Sequence, residues 1–179
     1  MNVSLSNKKL SICSITAAVV CVMGILAGIL QFNTLFMLIA TSLVMCFLTQ
    51  KVGVGYSLLT ALVSSALLFL LTWDKVYAVE SAILFSTYPA VKYLIESKIS
   101  SRMAEYIVKI LYFAVISIAF VIIAEAFFGG TEFWGEWYNG ILAKIIIFAA
   151  LIVAQIVYDI LLSYAIYLLN KKFNGSIFR

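Results

Sequence analysis

The stretch KKLSICSITAAVVCVMGILAGIL, residues 8–30, decides the fold: two lysines are followed by a chain that carries no further charge before Lys51. A helix that crosses a bilayer needs about 20 mostly apolar residues. This run supplies them at once. It is too long for the apolar core of a signal peptide and lacks a small-residue cleavage site, so it is expected to stay as a first spanning helix.

The same pattern repeats along the chain. Of 179 residues, 65% are hydrophobic and 11% charged, whereas soluble domains are about 45–50% apolar and about 25% charged. Too few polar side chains remain to coat a water-facing surface, so the apolar excess must face lipid. Backbone polar groups in lipid must be satisfied within their own segment, which makes each long apolar run a helix. The expected spans are 10–30, 34–50, 54–73, 77–96, 105–128 and 138–169: six helices in one compact membrane domain covering 1–179. The sixth is longer than the bilayer core and should tilt or project. Breaks fall at 31–33, 51–55, 73–75, 97–101 and from Gly129 onward. Pro89, the single proline, lies inside the fourth span. It removes a backbone donor, so a neighbour must cover the carbonyl it frees.

Charge sets the orientation. With six alternating spans, Lys8, Lys9, Lys51, Lys98, Arg102, Lys171, Lys172 and Arg179 fall on one side, and Lys92 and Lys109 reach it by snorkelling. That gathers ten of the twelve cations on the inner side and predicts both termini inside a cell membrane. The charge of +4 is thus a topology signal and no nucleic-acid footprint.

The outer side carries different chemistry. Asp74, Glu80, Glu125, Glu132 and Glu136 fall there with Trp73, Tyr77, Phe133, Trp134, Trp137 and Tyr138, including every tryptophan of the chain. An interfacial aromatic belt explains single rings, but a belt marks both interfaces. A ligand pocket explains one. The glycine-punctuated loop FFGGTEFWGEWYNG, residues 127–140, is the candidate wall or lid. Glu80 and Lys144 lie about one turn inside the outer helix ends, where ionisable groups face the bundle interior or water. Both a structural pair and a ligand contact fit them.

Three further features stand out. Asp159 lies deep in the sixth span, where a carboxylate must be protonated, paired or wet. Lys109 and Lys92 are the candidate partners in a buried polar network, and a role in conformational or proton coupling is the sharper reading. In the first span Cys13, Ala17 and Cys21 form a small-residue row, with Ser14 and Ala18 beside it and Gly24-x-x-x-Gly28 beyond. Such rows admit another helix, from this bundle or from a partner subunit. The three cysteines have no paired spacing and read as small hydrophobes. Finally, histidine is absent, and no phosphate loop, Cys-x-x-Cys or metal-spaced carboxylates occur, so neither an enzyme, a cofactor nor a metal site is expected.

In size, helix count and orientation the whole chain resembles the S-components of energy-coupling factor transporters. The resemblance implies capture of a vitamin or similar small molecule at the extracellular side of a prokaryotic-type cell membrane. It also implies partners: a transmembrane coupling subunit and ATPase subunits that drive release. The family's Ala-x-x-x-Ala row on helix one corresponds here to Cys13-x-x-x-Ala17-x-x-x-Cys21 or Ser14-x-x-x-Ala18. By the same resemblance the ligand residues are Trp73, Glu80, Trp134, Glu136, Trp137, Asn139 and Lys144, holding an aromatic or cationic molecule. The rival expectation is a non-transporting scaffold that resembles rod-shape-determining membrane proteins and needs no enclosed outer cavity.

Overall fold

The computed structural model describes residues 3–30, 34–128 and 141–172, and every element among them is helical. In chain order these are α1 (Val3–Leu30), α2 (Thr34–Val52), α3 (Val54–Leu71), α4 (Lys75–Glu80), a π-helical segment (Ser81–Thr87), α5 (Tyr88–Lys98), α6 (Arg102–Phe128) and α7 (Ile141–Lys172). Helix α1 starts at Val3, ahead of the expected 10, so Lys8 and Lys9 lie in its second turn rather than in a preceding tail.

Among the described residues five helices are long and apolar enough to cross a membrane: Ser6–Leu30, Thr34–Val52, Val54–Leu71, Arg102–Ile123 and Leu142–Leu168. The fourth expected span, 77–96, is the exception. It exists as one helical rod from Lys75 to Lys98, yet a π-helical stretch divides it, and Glu80, Lys92, Glu96 and Lys98 dilute its apolarity. The local cause is visible. The hydroxyl of Thr87 donates to the carbonyl of Ala82, five residues back, at 2.8 Å, and Pro89 has no N–H to continue the ordinary ladder.

The chain forms two compact units, Met1–Lys98 with Tyr164–Arg179, and Ile99–Ser163. In the first, α1 packs on α2 and α3, while α2 and α3 also hold the π-segment and α5. Helices α2 and α3 are joined through Gly53 alone, whose φ of 100° is a left-handed conformation that glycine adopts freely. The turn is closed by a Thr49–Ser57 hydroxyl contact of 2.7 Å.

Polarity is inverted relative to a water-soluble bundle. Leu62, Leu70 and Leu142 lie 70–76% exposed, whereas Thr41, Ser42, Thr49, Ser57, Thr60, Ser64 and Ser117 are buried. Most of these hydroxyls donate to the carbonyl four residues earlier on their own helix, as Thr41 does to Met37 at 2.9 Å and Thr60 to Tyr56 at 2.8 Å. Small, self-satisfied hydroxyls let helices approach closely where lipid gives no hydrophobic drive to association.

Candidate functional site: a cavity at the α3–α4 corner

The corner is built locally. Helix α3 stops because Thr72 turns extended, with its N–H on Leu68 O at 2.9 Å and its hydroxyl on the same carbonyl. Trp73 follows, and then Asp74 caps α4, its Oδ1 accepting from the N–H of Tyr77 at 3.1 Å. Lys75 folds back onto α3: its Nζ donates to Phe69 O at 2.6 Å and Thr72 O at 2.7 Å and lies 5.1 Å from the Phe69 ring centroid. A cation at a helix C-terminus offsets the carbonyl dipoles gathered there.

Tyr77 ties this corner to α1. Its hydroxyl donates to Gly24 O at 2.9 Å. The close approach needs glycine, since a Cβ on Gly24 would lie 2.3 Å from Leu68 Cδ1; Gly28, one turn on, faces Thr72 and Tyr77 at ordinary contact distance. Across the gap, the Thr34 hydroxyl donates to Ala27 O at 3.3 Å. Between these elements lies an open cavity of about 660 Å³, lined by residues that include Ile25, Ile29, Leu71, Trp73, Asp74 and Tyr77.

Of the seven residues expected to bind ligand, Trp73 alone lines this cavity among the described residues, and it is 98% exposed. Glu80 is half-buried further along α4 and does not line it. Lys144 is exposed in the second unit, on an apolar groove of about 330 Å³ with Ile118, Ile122 and Phe148. Trp134, Glu136, Trp137 and Asn139 lie outside the described residues. The sequence reading placed Asp74 and Tyr77 on the right side of the chain but gave neither a ligand role. The Asp-x-x-Tyr spacing of a helix cap was the available signal.

The small-residue row divides. Cys13, Ala17 and Cys21 are buried, with the Cys21 thiol 3.5 Å from Ser64 O on α3, and Ser14 and Ala18 are exposed. In the second unit Asp159 accepts from Lys109 Nζ at 3.2 Å, and Lys109 also reaches Glu105 at 2.7 Å, one helical turn away. Ser117 meets Gln155 at 3.4 Å between the same helices. Lys92 belongs to the first unit, where it is buried and pairs with Glu96 at 2.7 Å.

No protein-family model, curated protein or solved structure matches the chain. The functional reading therefore stands on this geometry and on the pattern of charge.

Proposed function

We propose that the protein is a six-span membrane subunit, with both termini cytoplasmic, that captures a small molecule at the extracellular face in the manner of an S-component. One observation carries the reading: the cavity of about 660 Å³ that Trp73, Asp74 and Tyr77 help to line. Its volume falls within the roughly 300–1,000 Å³ typical of small-ligand pockets. It sits where α1 and α3 end, opposite the turn that holds Lys51 and the start of α1 with Lys8 and Lys9. Cations favour the cytoplasmic side, so this end is the extracellular one in the proposal. Capture is binding without chemistry: apolar walls take the body of the ligand, and the exposed Trp73 ring covers it. The sequence carries no nucleotide-binding loop, so release requires an energising partner.

Two measurements test this. Native mass spectrometry of the detergent-purified protein is expected to show a co-purified small molecule. Cysteine introduced by Trp73→Cys is expected to react with a membrane-impermeant maleimide on intact cells, and by Lys98→Cys only after permeabilisation. The reverse labelling pattern would sink outward capture. Absence of any bound molecule, with no thermal shift across a vitamin panel, would move the assignment to a scaffold.

A further inference from the structure

The lining of the cavity is rich in acceptors and poor in donors. Each hydroxyl on its wall has committed its proton to a carbonyl: Tyr77 to Gly24, Thr34 to Ala27 and Thr72 to Leu68. What those oxygens present to the cavity is lone pairs. Among the described lining residues the indole N–H of Trp73 is the single side-chain donor left.

The charge balance points the same way. Asp74 spends Oδ1 on the Tyr77 N–H, and a carboxylate has further acceptor sites to offer. Its neighbour Lys75 makes no ion pair with it: that ammonium is held on the carbonyls of Phe69 and Thr72 and over the Phe69 ring, and Lys75 is not among the residues that line the cavity. The helix ends largely offset one another, since α1 and α3 finish at this corner while α2 and α4 begin there. Among the described lining residues Asp74 carries the one formal charge. An anion would meet a carboxylate and three hydroxyl lone pairs; an ammonium would meet partners for each of its protons.

Resting on the capture reading, we infer that this cavity takes a small organic cation, an ammonium or protonated ring nitrogen on an apolar body, with Asp74 as its counter-charge. Ile25, Ile29 and Leu71 receive the apolar body, and the Trp73 ring lies over the charged end, where a cation is attracted to the aromatic face. Glu80, one of the carboxylates expected to contact a ligand, is not part of the lining.

The test uses the full chain in lipid nanodiscs and three probes that share one ring and differ in charge: tryptamine, tryptophol and indole-3-propionate. Calorimetry is expected to show tryptamine binding, tryptophol at least about tenfold weaker, and no binding of the propionate. Asp74→Asn keeps a competent helix cap, so its thermal unfolding should match the parent. Its tryptamine affinity should fall about ten- to a hundredfold, the range of a lost charge-assisted hydrogen bond. Trp73→Ala should cost several-fold. In a second arm, the small molecule released from the purified protein by heat is expected to be a cation. A released anion or neutral molecule, equal affinity for the three probes, or an unchanged affinity in Asp74→Asn would overturn the inference while leaving capture intact. No released molecule and no probe bound would overturn both.

Discussion

The hydroxyl of Ser42 on α2 lies 3.0 Å from the carbonyl oxygen of Phe85, the residue four positions before Pro89. A proline cannot donate to that carbonyl. Ser42 also lies 3.0 Å from Leu38 O on its own helix, but the Leu38 carbonyl already has the ordinary helical donor, so the proton is worth more at Phe85. Ser42→Ala should therefore destabilise by about 1 kcal/mol, the net worth of a typical intramolecular hydrogen bond. Pro89→Ala returns an N–H to the rod and should make the Ser42→Ala cost smaller. A double-mutant cycle, read by chemical unfolding in detergent, is expected to give a coupling of about 1 kcal/mol between the two positions. Strict additivity would mean that the Ser42 hydroxyl does not serve Phe85.

Gly24 and Gly28 predict opposite outcomes for the same substitution. A Cβ at 24 would overlap Leu68 Cδ1 at 2.3 Å, and Leu68 is itself buried, whereas a Cβ at 28 meets its nearest atom at 3.5 Å. Gly24→Ala should cost about 1–3 kcal/mol from overpacking and shift the Tyr77 anchor with it. Gly28→Ala should be neutral or stabilising by up to about 1 kcal/mol, since alanine is the better helix former. Thermal unfolding of the two variants checks the contrast. Adding Leu68→Ala to Gly24→Ala should return part of the loss by making room.

Lys109 and Asp159 form a side-chain pair buried on both sides, at 5% and 9% exposure respectively. Removing one partner of a buried pair is costly, so Asp159→Leu should destabilise by about 3 kcal/mol. Lys109→Met added to it should recover much of that loss, because an apolar pair of similar volume replaces an ionic one. Retention of Glu105 beside Lys109 at 2.7 Å places the single variant toward the low end. The measurement is unfolding of both variants under identical lipid conditions. Greater damage in the double variant would show that the two charges act separately.

Length and apolarity were enough to find the rods from sequence, because backbone satisfaction in lipid leaves few alternatives to a helix. The breaks at Gly53 and at 73–75 were legible for the same reason: glycine and a Trp-Asp-Lys run interrupt an otherwise apolar chain. The π-stretch was not. Pro89 announces a disturbed ladder, but its shape depends on the Thr87–Ala82 and Ser42–Phe85 contacts, which join residues no local pattern connects. The inward seam of Thr41, Ser42, Thr49, Ser57 and Ser64 was invisible on similar grounds. In helices apolar all round, the face a hydroxyl occupies is set by its neighbours, since periodicity carries no signal there. At the cavity, Trp73 could be named as a ring next to a break, while Asp74 needed the direction of Lys75 before its charge had meaning.

Gln50 offers the sharpest contrast with those satisfied groups. Its Oε1 is buried and has no hydrogen-bond partner among the described residues, beside a small cavity of about 30 Å³ lined also by Cys46, Lys92 and Glu96. An orphaned acceptor carries its full desolvation cost, about 1–3 kcal/mol, and exchange for an apolar group of similar shape removes that cost. Gln50→Leu is thus expected to raise the unfolding midpoint, against the usual trend for core substitutions, whereas Gln50→Ala should lower it by leaving a void. The cavity is large enough for a water, and a water held between Gln50 and the Lys92–Glu96 pair would reverse the sign for leucine. A loss of stability in Gln50→Leu equal to that in Gln50→Ala would therefore identify Oε1 as a hydrated, satisfied group and remove the orphan reading.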